Sequence, residues 1–521
     1  MLDAKKVILT LADNTTNTIT DSSRLSTEED YSAAIYSKED LIINGNGTLN
    51  VNAGYRNGIK STDDCIIVSG TLIITSTEDG IIGKDLCGIV AGDININAGS
   101  DGIKSTYDTD TTKGNVIIEG GNITIKASND GIQAENILVI NDGAINIKTN
   151  NGAADTTQTH TDNMYMGRGG FGFNNNKTTT TTDDTSESRK GIKAGNMLII
   201  NDGDITIDSD DDSVHCNSVI YIYGGTINAA TGDDGVHADD LLTVNGGTIN
   251  ITQCYEGIEA DDIVINDGDI SVVSSDDGIN SSDGSITING GNLLINASGD
   301  GLDANGSIII NGGYIVVLGP TSDGDTAIDY DDSCTINGGT VMAFGSSGML
   351  EIPKGASNGA CIVTAFTSVS GGSKYTLSDS NGNEILSYTP SKAYAAAIVY
   401  SDKITTGNTY DITAGSTTLS IEVTSDVTSN VSSGLGKAGG MNMPGNGGSG
   451  MPNNGSSDNG MNGNSNGSMP DMSGNGAPDM NGNSSGDMPS MGGNSSNNGG
   501  NMPNMTNGSS NGSAPQMNNR M

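Results

Sequence analysis

The chain has 521 residues and a formal net charge of −41, with 76 Gly, 4 Phe and no Trp. So much negative charge repels nucleic acid and anionic membrane surfaces. The wealth of Gly, Asn, Asp, Ser and Thr suits short strands and tight turns and argues against a helical globule.

In chain order, the opening MLDAKKVILTLADNTT shows no apolar signal-peptide region, and no later run approaches the roughly 18 apolar residues that span a bilayer. Residues 1–40 contain STEEDYSAAIYSKED, which predicts a short helical cap over the open end of a repeat array. From 41 to 343 the chain repeats itself. A glycine followed by Ile, Val or Leu recurs at Gly58, Gly80, Gly102, Gly131, Gly191, Gly235, Gly257, Gly278 and Gly301, with Ser213 and Ala327 in its place elsewhere, most often at steps of 22 residues. A second phrase, NDG or NGG, keeps pace at Asn141–Gly143, Asn201–Gly203, Asn245–Gly247, Asn266–Gly268 and beyond. Within one period the apolar pattern alternates, as in DDIVINDGDISVV over 261–273. That is the period of half-buried strands. Three short strands per 22 residues predict an all-β fold, a right-handed parallel β-helix. Its rungs stack roughly 4.8 Å apart with Ile and Val inside.

Two insertions interrupt the period, one around Tyr107–Gly114 and a longer one over about 150–189. The longer one is Gly- and Thr-rich and reads as a linker. Its Tyr165, Arg168, Phe171 and Phe173 could instead touch a ligand. Residues 344–430 lose the period and read as antiparallel hairpins, a C-terminal β-capping module. Residues 431–521 are mainly Gly, Asn, Met, Ser and Pro. Burial there cannot offset ordering entropy, which predicts a disordered tail. The six cysteines (65, 87, 216, 254, 334 and 361) show no CxxC spacing and read as small buried residues. Cys65 and Cys87 are one period apart, which leaves a disulfide open.

The chemistry lies beside the repeat glycine. The two positions before it read Glu78-Asp79, Ser100-Asp101, Asn129-Asp130, Asp211-Asp212, Asp233-Asp234, Tyr255-Glu256, Asp276-Asp277 and Gly299-Asp300. Stacked about 5 Å apart, such carboxylates repel by about 1 kcal/mol or more per pair, so the file calls for cations. Ca²⁺ takes six to eight oxygen ligands in irregular sites and is the natural cofactor. The strongest candidate ligands are Asp211, Asp212, Asp233 and Asp234, continued by Glu256, Asp276 and Asp277. A second acidic file runs through Asp239-Asp240, Asp261-Asp262, Asp283 and Asp331-Asp332. Turn hydrogen bonding accounts for single acids but not for paired acids in successive rungs.

The position two after the glycine faces outward on a flat strand face. It reads Lys60, Lys104, Gln133, Lys193, His215, His237, Glu259, Asn280, Asp303 and Asp329. A solvated polar surface is the plain explanation. A ligand-contacting ladder over Lys193, His215, His237, Glu259, Asn280 and Asp303 is the functional one, because one rung can meet one sugar unit of an extended polymer. His215 and His237 with Glu259 are also an alternative transition-metal set.

The repeated DDG[IV]xADD…NGG phrases, the hairpin module and the GNM-rich tail resemble bacterial carbohydrate-binding β-helix proteins, calcium-binding and cell-surface relatives of the pectate-lyase-like fold. The resemblance covers roughly residues 30–425 and rests on repeat phrasing. It implies Ca²⁺ held by aspartates between rungs, an extracellular or cell-surface location, and non-catalytic binding of acidic, pectin-like or other plant cell-wall polysaccharide by a monomer. The missing export signal departs from that pattern. A calcium-dependent polysaccharide lyase is the alternative, with Lys193 as base, although 233–330 contains no Lys or Arg. A structural surface rod is a further reading.

Overall fold

The computed structural model describes residues 4–22, 31–154 and 188–431. Tyr165, Arg168, Phe171 and Phe173, and nearly all of the segment 431–521, lie outside the described residues. The described residues fall in one compact unit, Met1–Asn442.

The fold is an all-β parallel solenoid. Among the described residues the sole helical turn is Gly152–Ala154. Each rung contributes strands to two long sheets, of 24 and 16 strands. One rung shows the plan. Val214–Cys216 and Val219–Ile222 lie in the first sheet and Thr226–Thr231 in the second. Thirteen strands of the second sheet stack in chain order, all in parallel, from Thr16–Asp21 to Thr340–Gly345.

Register is what gives this stack a core. Val214, Val236, Ile258, Ile279, Leu302 and Ile328 are successive partners, and each is fully buried. Like side chains thus form a continuous apolar column. The repeat glycine is dictated by the same closeness. A Cβ on Gly80 would lie 2.5 Å from the Gly102 carbonyl oxygen and 2.5 Å from Ile96 Cγ2. The glycine ending each NDG or NGG phrase has a different reason. Gly225, for example, has φ +81°, a region that side-chain-bearing residues avoid.

The N-terminal segment departs from expectation. No helix forms in 31–40. Ala33–Ser37 is a strand paired in parallel with Asn57–Ser61, and Lys6–Leu11 pairs with Asp40–Gly45. The alternating burial of Ala33, Ile35 and Ser37 outweighs the helix-favouring Glu, Ala and Lys around it. Cys65 and Cys87 are register partners, as their spacing suggests. Both are buried free thiols, so the disulfide left open is not present.

At the C-terminal end the strand direction reverses. Tyr394–Ser401 pairs antiparallel with Thr340–Gly345 on one side and Ala360–Val369 on the other. A separate four-stranded antiparallel sheet packs nearby. The second core between them centres on Phe344, whose ring meets Tyr375 and Tyr394 edge-on at 5.4 and 5.1 Å.

Candidate functional site

The acidic file occupies the turn that carries each rung from the second sheet into the first. The residue just before the repeat glycine has a backbone task. One oxygen of its carboxylate accepts the N–H of the equivalent residue one rung on. Asp101 N donates to Asp79 Oδ1 at 3.1 Å, Asp130 N to Asp101 Oδ1 at 3.0 Å and Lys190 N to Asp130 Oδ1 at 2.8 Å. Asp234 N donates to Asp212 Oδ1 at 3.1 Å, Glu256 N to Asp234 Oδ1 at 3.2 Å and Asp300 N to Asp277 Oδ1 at 2.6 Å. These bonds satisfy turn amides that carry no strand pairing.

The second oxygen is left to face the residue two after the glycine. Lys104 Nζ lies 2.6 Å from Asp101 Oδ2, His215 Nδ1 2.8 Å from Asp212 Oδ2 and His237 Nδ1 3.2 Å from Asp234 Oδ2. Asn280 Nδ2 donates to Glu256 Oε2 at 2.9 Å. The acid file and the polar ladder, read from sequence as separate surfaces, are therefore one strip. The ladder is also less exposed than a flat outward face implies. His215 is only 8 % exposed, and Lys193, His237, Glu259, Asn280 and Asp303 are half-buried.

Among the described residues, four groups bring ligand atoms within 4.8 Å of one another: Asp211/Asp212/Asp233, Asp212/His215/His237, Asp234/His237/Glu259 and Asp277/Asp300/Asp303. Glu256 and Asp276 flank these groups without joining one. Asp300, outside the sequence-derived set, completes the last. Room is kept there by Gly299, where a Cβ would lie 2.4 Å from Asp277 Oδ1 and 2.5 Å from Asp276 Oδ1.

The sequence reading missed Lys190. It takes the place of an acid before Gly191, and its Nζ lies 2.9 Å from Asp211 Oδ1 and 2.6 Å from Asp212 Oδ2. Arg189 beside it reaches Asp210 Oδ2 at 2.7 Å. The signal was available, since Arg189-Lys190 is the one basic pair in the file. Lys193, the expected partner of this cluster, donates to Ser188 Oγ at 3.1 Å.

Electrostatics divide the strip. Burial penalises the Asp212 charge, but Lys190, His215 and His237 outweigh it and hold the carboxyl well below its usual range. Burial likewise acts against the Lys190 charge, and Asp212 and Asp211 override it, raising that ammonium. Farther along the carboxylates outweigh what ammonium remains. Burial and the neighbouring Asp234, Asp212 and Asp211 push Asp233 up to about 8, despite Lys190. Burial with Glu259 and Asp234 pushes Glu256 up to about 9. Burial with Asp276 and Asp303 pushes Asp277 up to about 8, and burial, then Asp277 and Asp303, push Asp300 up to about 9.

The second acidic file has local partners. Ser218 Oγ donates to Asp240 Oδ2 at 2.7 Å, Ser282 Oγ to Asp261 Oδ1 at 3.1 Å and Ser285 N to Asp262 Oδ1 at 3.0 Å. These bonds tie the bend of one rung to the bend of the next.

The profile of a family described as carbohydrate-binding domain-containing protein matches residues 1–235 and 233–468. A protein of Acetivibrio thermocellus with the same description is 39% identical over 75 residues, which is 14% of this chain. The match spans 26% of that relative's length. No solved structure matches. The profile matches run through the whole solenoid and its acidic strip, and the chain belongs to the carbohydrate-binding domain-containing protein family.

Proposed function

We propose that the chain binds acidic polysaccharide of the polygalacturonate class along this strip, through calcium, at the cell exterior, as a non-catalytic module. Family membership supports carbohydrate binding and a polysaccharide partner. The observation that carries the finer reading is the uncompensated charge of the C-terminal rungs. Asp277, Asp300 and Asp303 converge with no Lys or Arg between 194 and 353. An all-oxygen, anionic donor set suits a hard cation such as Ca²⁺.

In this reading Asp233, Asp234, Glu256, Asp276, Asp277, Asp300 and Asp303 are the principal calcium ligands. Asp211 and Asp212 already hold Lys190 and are the weaker pair. Calcium held there supplies charge to which a uronate carboxylate can bind. His237, Glu259 and Asn280 repeat one rung apart along the same strip and offer hydrogen bonds to sugar hydroxyls. Lys193 and His215 continue that ladder on the cationic side.

The test is native electrophoresis through a gel containing polygalacturonate, with calcium or with chelator. Retardation that needs calcium and leaves the polymer intact is the expected result. A depolymerised zone would make the protein a lyase. Equal mobility with and without polymer would remove acidic polysaccharide as the ligand.

A further inference from the structure

Along the strip, the position two after the repeat glycine carries ammonium, amide or carboxylate groups in most rungs, but imidazoles at His215 and His237. The two residues are register partners, and their rings meet edge-on with centroids 4.9 Å apart. Hard cations gain little from nitrogen ligands, whereas imidazole with carboxylate suits borderline cations.

The two histidines are not equivalent. His215 is fully engaged, with Nδ1 at 2.8 Å from Asp212 Oδ2 and Nε2 at 2.8 Å from Asn217 Oδ1. Asp212 Oδ2 also has Lys190 Nζ at 2.6 Å. His237 Nδ1 instead faces two carboxylate oxygens at once, Asp234 Oδ2 at 3.2 Å and Glu259 Oε2 at 3.2 Å, with Asp212 Oδ2 at 3.9 Å. One ring nitrogen carries at most one proton for this acceptor group. A four-coordinate ion with bonds of about 2.0–2.1 Å holds its ligand atoms about 3.3 Å apart, close to the spacing here.

The surroundings fit as well. Asp234 Oδ1 is fixed by the Glu256 amide at 3.2 Å, which leaves Oδ2 aimed at the ring. His237 Nε2 has Asp239 Oδ1 at 3.6 Å, near but beyond hydrogen-bonding range, on the side from which carboxylates orient metal-binding histidines.

We propose that His237 Nδ1, Asp234 Oδ2 and Glu259 Oε2 form a site for a borderline divalent cation of the zinc class, separate in chemistry from the oxygen-only positions, with a fourth coordination place open to solvent or ligand. The site shares Asp234 with the proposed calcium ligands and His237 and Glu259 with the proposed sugar ladder, but it rests on the geometry around His237 and stands whether or not calcium or polysaccharide binds.

The test is titration of the full chain with Zn²⁺, and with Co²⁺ as a visible-absorbing probe, in excess Ca²⁺. The expected result is one equivalent bound with four-coordinate cobalt absorption. His237→Gln and Glu259→Gln should each weaken it by tenfold or more, and Asp142→Asn, in an NDG turn away from the strip, should leave it unchanged. Thermal melts in chelator establish that each variant is folded. Displacement of zinc by excess calcium, or parent-like zinc binding by both folded variants, would overturn the site.

Discussion

The N-terminal and C-terminal halves of the solenoid share one backbone device and differ in how its charge is balanced. Through both, an acid before the repeat glycine accepts the amide of the next rung, at Asp79 and Asp101 as at Asp234 and Asp277. In the N-terminal half the surplus charge meets an internal cation: Lys104 for Asp101, Lys113 for Asp85, Lys190 for Asp211 and Asp212. From 194 to 353 there is no Lys or Arg, and Asp233, Glu256, Asp277 and Asp300 are pushed up to about 8 or 9, against about 6 for Asp101, which burial raises even beside Lys104. The file of acids is therefore an architectural device first. The cations proposed above would act where lysine is absent.

The largest effect should come from breaking the internal compensation. Lys190→Gln removes the ammonium from buried Asp212, which keeps the His215 hydrogen bond on that oxygen, and from half-buried Asp211, which costs about 3 kcal/mol. In chelator, a melt should show the loss in full, and added calcium should recover part of it. A loss that calcium leaves unchanged would break the comparison.

The opposite sign is expected in the other half. Asp277→Asn keeps the oxygen that accepts the Asp300 amide and removes one charge from a crowded group. In chelator it should raise stability by about 1 kcal/mol, and in calcium it should lower it. Denaturant titration under both conditions reads the crossover, and the same sign in both would refute the cation assignment.

A pH series sharpens the point. Asp233 and Asp277, pushed up to about 8, and Glu256 and Asp300, pushed up to about 9, hold protons in the folded state that the unfolded chain releases near pH 4. Their contribution is present below about pH 4 and is lost as pH rises through 8 to 9. His237, on which burial is outweighed by Asp234, Asp212 and Glu259 and which is pushed up to about 10, acts in the same direction above its unfolded value. The chelated protein should therefore melt lower at pH 8 than at pH 5, and saturating calcium should flatten or reverse that trend.

The smallest effect belongs to a ladder common to both halves. Asn289 Nδ2 donates to Asn266 Oδ1 at 2.8 Å, and Asn311 Nδ2 to Asn289 Oδ1 at 2.8 Å. Asn289→Ala removes these exposed bonds and should cost about 1 kcal/mol, alike with and without calcium.

Most of the fold was legible because the rungs are local and periodic. The 22-residue step and the alternation of Ile263, Ile265, Ile270 and Val272 specify three strands and their inward face. Residues 31–40 misled because helix-favouring composition and strand-like alternation coexist there, and pairing with 57–61 decides. The candidate site was legible as a list of residues and not as an arrangement. Whether Asp234 and His237 meet depends on how the chain turns at Gly235, which spacing alone does not convey. Lys190 was overlooked because the file of acids passes over the rung where Arg189-Lys190 stands in their place.

The reversal at Tyr394–Ser401 has a consequence for assembly. A parallel stack offers its last strand as a template on which another chain's rung could dock in register, and so on without limit. Here that template, Thr340–Gly345, is already occupied by a strand running the other way, backed by the aromatic cluster around Phe344. The antiparallel strand works as a stop codon written in hydrogen bonds: beyond it the sheet runs only through Ala360–Val369 to the three-residue strand Val427–Ser429, a short edge that offers little template for a further rung.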